Sequence, residues 1–118
     1  MSLSISNRQS NGVTILDLNG RITLGEATGQ LRDVVKAAIA RGDKNLILNL
    51  AQVSYIDSAG LGELVGASTT VTNSGGTLKL LNLQKKIKDL MQITKLHTIF
   101  ECLDDENAAV KSFGVANA

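Results

Sequence analysis

Few residues of this 118-residue chain can do chemistry, and one stretch holds the best of them. Ser58 lies in Tyr55-Ile56-Asp57-Ser58-Ala59-Gly60-Leu61-Gly62, beside the carboxylate of Asp57. A serine hydroxyl becomes a nucleophile only with a base and an oxyanion hole. The only histidine, His97, is distant in sequence, and no Gly-x-Ser-x-Gly is present. The glycine pattern Gly60-x-Gly62-x-x-x-Gly66 misses the dinucleotide fingerprint, and no Gly-Lys-Ser/Thr phosphate loop exists. One His and one Cys at this spacing cannot build a metal site. The expectation is therefore no catalysis, no cofactor and no metal, with nucleotide binding without catalysis left open.

What remains is a hydroxyl offered at a helix start. The apolar run Leu46 to Leu50 reads as a buried strand and the amphipathic run Leu61 to Val71 as a helix. Ser58 stands between them, where its hydroxyl can cap the helix by accepting from backbone N–H groups. Asp57 can orient that hydroxyl, contact a partner, or complement the helix dipole. Gly60 and Gly62 nearly strip the first turn of side chains, at about 1 kcal/mol each relative to Ala. That cost points to close approach by a neighbouring strand or by another protein. The outer side of the helix, with Glu63, Ala67 and Thr70, would extend such a surface.

The flanking elements follow from pattern. Leu3 and Ile5 alternate with polar residues, Asn11-Gly12 signals a tight hairpin, and Val13 to Leu18 reads as its second strand. Thr23 and Glu26 have capping-box spacing, and apolar residues from Ala27 to Ile39 recur at helical intervals. These place a helix over 24–41. Asn73-Ser74-Gly75-Gly76 ends the second helix, and Leu78 to Leu81 is a strand. Asn82 is expected to cap a third helix with Leu83, Ile87, Leu90 and Met91 inward and Lys85, Lys86 and Lys88 outward. Thr98 to Cys102 reads as the last strand, with Cys102 filling core. Asp104, Asp105 and Glu106 open a final helix whose apolar side is Ala109, Val110 and Phe113. The order β-β-α-β-α-β-α-β-α predicts one α/β domain over 1–118. Its sheet is mixed and mostly parallel, with about five strands, about four helices and an N-terminal β-hairpin. The helices could cover one face or both.

Composition narrows the class. An apolar fraction of 43% supports a folded core, and the low aromatic content of 3% counts against base-stacking nucleic-acid modules. A net charge of +1 steers the chain to neither DNA nor an anionic membrane. The single Cys102 forms no internal disulfide, Met1 to Gly12 shows no signal pattern, and no apolar run approaches membrane-helix length. The expectation is a cytoplasmic protein with no nucleic-acid or membrane partner, a monomer or weak dimer.

Asp57-Ser58-Ala59-Gly60-Leu61-Gly62 resembles the signature loop of STAS domains, in particular the anti-sigma factor antagonists of bacteria, and all six positions fit. The element order resembles the STAS fold over essentially the whole chain. The resemblance implies that Ser58 is a phosphoacceptor. It further implies that Thr23, Asp57, Ala59, Gly60, Leu61, Gly62 and Glu63 contact a partner. The implied partner is an anti-sigma factor serine kinase, captured by the unphosphorylated form and released on phosphorylation, with a metal-dependent serine phosphatase to reset the switch. Two positions depart from the family pattern. Leu18-Asn19-Gly20-Arg21-Ile22-Thr23 has Arg21 where a Glu is common and Thr23 where an Asp is common. The alternative is a STAS scaffold or accessory subunit, in a stressosome or transporter complex, that never uses Ser58 covalently.

Overall fold

Apolar alternation and the Asn11-Gly12 turn set the first pairing. In the computed structural model, which describes residues 3–114, β1 (Leu3–Ser10) runs antiparallel to β2 (Val13–Ile22), with Ser10 opposite Val13. Asn11 at φ 50° and Gly12 at φ 82° form the two-residue turn, both in the left-handed region that these residue types tolerate. The expected domain limits at residues 1–2 and 115–118 lie outside the described residues.

Beyond the hairpin the chain alternates: α1 (Glu26–Ala40), β3 (Asn45–Ile56), α2 (Ser58–Asn73), β4 (Thr77–Leu81), α3 (Lys85–Ile93), β5 (Cys102–Leu103) and α4 (Glu106–Lys111). The sheet order is β1-β2-β3-β4-β5, with β2 through β5 parallel. Neighbouring strands follow chain order, so each right-handed crossover falls on the same face. Accordingly α1, α2 and α3 share one core with Leu16, Leu18, Leu48 and Leu80. After β5 no crossover remains, and α4 folds onto the opposite face. There Ala109 and Val110 close over Val13, Ile15, Ile47 and Leu81. Both faces are covered, the second only in part.

Side chains on the second face fasten α4. Arg8 donates to Asp17 at 2.6 Å and to Glu106 at 2.6 Å, bridging β1, β2 and the first turn of α4. Lys79 is buried; it donates to Ser112 Oγ at 2.8 Å, pairs with Glu101 at 3.1 Å and lies over the Phe113 ring. Asp105 accepts from Ala108 N–H at 2.8 Å and caps the helix.

Five local expectations are corrected. The first helix begins at Glu26, because the Thr28 hydroxyl takes the Gly25 N–H and Asp57 takes the Leu24 N–H, leaving Thr23 no capping role. Asn82 does not cap α3. It takes the left-handed conformation at φ 59°, and the N-cap position falls to Gln84. The strand expected over Thr98 to Cys102 is instead a 3-10 turn at Leu96–Thr98 followed by the two-residue β5. Cys102 is exposed rather than core, since β5 is an edge strand. β3 runs on to Ile56, six residues past the apolar run, because residues 52–56 pair with the end of β2.

Candidate functional site

The long β3 carries the chain directly to the first turn of α2. The turn is tight for a reason the glycines disclose. A Cβ on Gly60 would stand 2.2 Å from the Ile22 carbonyl oxygen and 2.8 Å from Ile56 Cγ2. Gly60 is thus a packing requirement at the crossing of α2 over the ends of β2 and β3. Gly62, two residues on, faces open space; no atom outside its own helix lies within 4 Å of its would-be Cβ. Its helix-propensity cost is therefore not repaid inside this fold.

Asp57, not Ser58, caps α2. Its Oδ1 accepts from the Gly60 N–H at 2.7 Å and its Oδ2 from the Leu24 N–H at 3.0 Å. One carboxylate thus joins the start of α2 to the connection between β2 and α1. The Leu24 and Gly60 N–H groups hold the Asp57 carboxyl below the usual carboxylate range. Ser58 is the first helical residue, exposed, and its hydroxyl makes no hydrogen bond among the described residues. The expectation of a Ser58 cap is corrected: the longer reach and charge of Asp57 take that role.

The other expected contact residues divide. Ala59, Thr23 and Asp57 are half-buried and Gly62 is exposed, all around Ser58. Gly60 and Leu61 are buried and belong to the core. The Glu63 side chain is only 10% exposed and pairs with Arg32 of α1 at 2.7 Å, so it serves helix–helix packing. Ala67, expected on the outer side, is buried between α2 and the sheet, while Thr70 is exposed. Three further residues belong to this surface beyond the expected contact set. Leu24 is 78% exposed and Tyr55 is 46% exposed. The Arg21 guanidinium lies 5.1 Å from the Tyr55 ring centroid, set there by the Arg21–Tyr55 register of β2 and β3. A sequence signal existed for Tyr55, a large side chain two residues before Asp57; Leu24 gave none, since it lies 33 residues from Asp57 and joins the site only through the hydrogen bond from its N–H.

The assembled surface is a hydroxyl on a rigid, negatively capped helix start, flanked by two apolar side chains and one cation. Among the described residues no three His, Cys, Asp or Glu side chains converge as metal ligands, and no helix is long and apolar enough to cross a membrane.

Comparison with known proteins agrees with this geometry. The model of the STAS domain family matches residues 4–109. The anti-sigma-B factor antagonist of Bacillus subtilis (strain 168) is 32% identical over 101 residues, covering 86% of this chain and 91% of that protein. A crystal structure of a Thermotoga maritima protein superposes with a TM-score of 0.84 at 24% identity over 92% of each chain. The anti-sigma factor antagonist SpoIIAA, solved in its unphosphorylated form, superposes with a TM-score of 0.70 at 21% identity, over 94% of this chain and 98% of that one.

Proposed function

The chain belongs to the STAS domain family, and on that premise we propose that it is an anti-sigma factor antagonist, a binding module switched by phosphorylation of Ser58. In this reading the unphosphorylated protein captures an anti-sigma factor serine kinase. ATP-dependent phosphate transfer to Ser58 releases it, and a metal-dependent serine phosphatase resets the switch. The observation that carries the reading is the division of labour at the start of α2. Asp57 does the capping, which leaves the Ser58 hydroxyl exposed and without a structural task. Phosphoryl transfer needs a metal, a base and positioning, which the kinase supplies; this chain has only to present the hydroxyl.

Electrostatics explains how one phosphate can end binding. It adds about −1.5 to −2 charges beside a carboxylate that is already ionised. The helix start tolerates that charge when it faces water. A docked partner that presents carboxylates is repelled by several kcal/mol, and roughly every 1.4 kcal/mol is a tenfold loss of affinity. Arg21 and Thr23 remove two carboxylates common in antagonists, so the kinase for this chain would have to accommodate a cation beside Tyr55.

The alternative, a scaffold or accessory subunit that leaves Ser58 unmodified, draws its support from Arg21 on Tyr55. Incubation of the protein and its Ser58→Ala variant with ATP and a lysate of its own organism, read by mass spectrometry, separates the two. Phosphate on Ser58 and none on the variant supports the switch. An unmodified Ser58 in a protein that still captures partners supports the scaffold.

A further inference from the structure

The sheet carries a second open feature near Ser58. β4 pairs only with residues 45–49 of β3, so among the described residues the remainder of β3 has no strand on that side. The Gln84 side-chain amide takes the Ala51 carbonyl at 3.0 Å, and residues 52–56 run on as a free edge. Five residues of strand span about 16 Å. Beside this edge lies an open groove of about 210 Å³ between β3 and α3, lined by Ser54, Tyr55, Ile56, Lys86, Ile87 and Leu90. Its floor is apolar, its one charged side chain is Lys86, and no carboxylate lines it. Lys85 and Lys88, the neighbouring lysines, are paired with Asp89 and Asp104; Lys86 has no ion-pair partner among the described residues. Arg21 adds a second cation on the Tyr55 ring.

We propose that this groove docks an extended, acidic segment of a protein partner, which adds as a strand along residues 52–56 of β3. An aliphatic side chain of the segment sits on Ile56, Ile87 and Leu90, and a carboxylate meets Lys86. Main-chain pairing supplies affinity and the alternating side chains supply selectivity, as in other strand additions. The charge complementarity selects acidic over basic segments. The inference deepens the partner-binding reading above, resting on it for the premise that this end of the sheet faces another protein; Ile56 lies two residues before Ser58.

The test uses the full chain, isotopically labelled, and amide chemical-shift mapping by NMR. The probe is a short acetylated peptide alternating Asp and Val. Two controls accompany it: the same peptide with Lys for Asp, and the Asp peptide N-methylated at alternate amides, which keeps its side chains but cannot pair as a strand. Shifts confined to residues 52–56 and 86–90, weakened roughly tenfold or more by Lys86→Glu, by the Lys peptide and by N-methylation, are expected. No shift at about 1 mM peptide, or equal binding of either control, overturns the proposal. So does preferential binding of decanoate to the same amides, which would make the groove an acyl-chain site. Ser58→Ala is expected to bind the Asp peptide as the wild type does. A failure of Ser58 to accept phosphate would therefore sink the switch and leave this docking result standing.

Discussion

The two helix starts that carry aspartate caps, at α2 and at α4, are built alike and anchored differently. Asp57 accepts from the third residue of α2 and Asp105 from the third residue of α4. At α4 the surrounding polar groups are engaged in holding the helix down: Glu106 is held by Arg8, and Ser112 by Lys79. Those bonds compensate for a small apolar contact, since α4 buries only Ala109 and Val110 fully. At α2 the helix is anchored by Gly60, Leu61, Leu64, Ala67 and Val71 in the main core. Its first turn therefore needs no side chain beyond Asp57, and Ser58, Gly62 and the flanking Leu24 and Tyr55 stay available. A helix anchored by burial can leave its end free for a partner; a helix anchored by ion pairs cannot.

The largest effect that could break this comparison is at Gly60. Gly60→Ala places a Cβ against the Ile22 carbonyl and is expected to lower stability by about 3 kcal/mol, measured by urea unfolding. A neutral result would mean that α2 is not seated on the strand ends as described.

Arg8→Ala tests the other helix. Asp17 and Glu106 lose their shared guanidinium, and the expected cost is about 1 kcal/mol, discounted for the solvent exposure of all three groups. The gap between wild type and variant should narrow in high salt. Arg8 holds both carboxyls below their ordinary range. Their contribution is therefore present above the unfolded carboxylate pKa and lost as pH falls through the lower folded values. Acid titration of stability should be shallower in Arg8→Ala than in wild type, and an unchanged titration would remove the ion pairs from the account of α4.

Gly62→Ala sharpens the contrast within α2. With open space around it, the substitution is expected to raise stability by roughly 0.5–1 kcal/mol and, under the proposed switch, to weaken capture of the partner kinase. Gain of stability with unchanged capture would mean that Gly62 is not at the interface. Ser58→Ala is expected to have the smallest effect on folding, within about 0.5 kcal/mol, and a complete effect on phosphate incorporation. A loss nearer 1 kcal/mol, the worth of a serine cap, would return Ser58 to a structural role.

The sequence alone determined the element order, the Asn11-Gly12 turn, the strand-then-helix setting of Ser58 and the signature loop around it. These rest on local rules: period, turn chemistry and residue spacing act within a few positions of the chain. Four things waited for the tertiary structure. Which residue caps α2 was decided by Asp57, whose carboxylate reaches a backbone N–H 33 residues away in sequence at Leu24. Which glycine is structural was decided by the Ile22 carbonyl, a neighbour only after β2 and β3 pair. The exposure of Cys102 was decided by the edge position of β5, and the placement of Leu24 and Tyr55 beside Ser58 by the register of β2 on β3. Each depends on a contact between segments far apart in the chain. A periodic pattern reports the face a residue turns to, but not the atom waiting there.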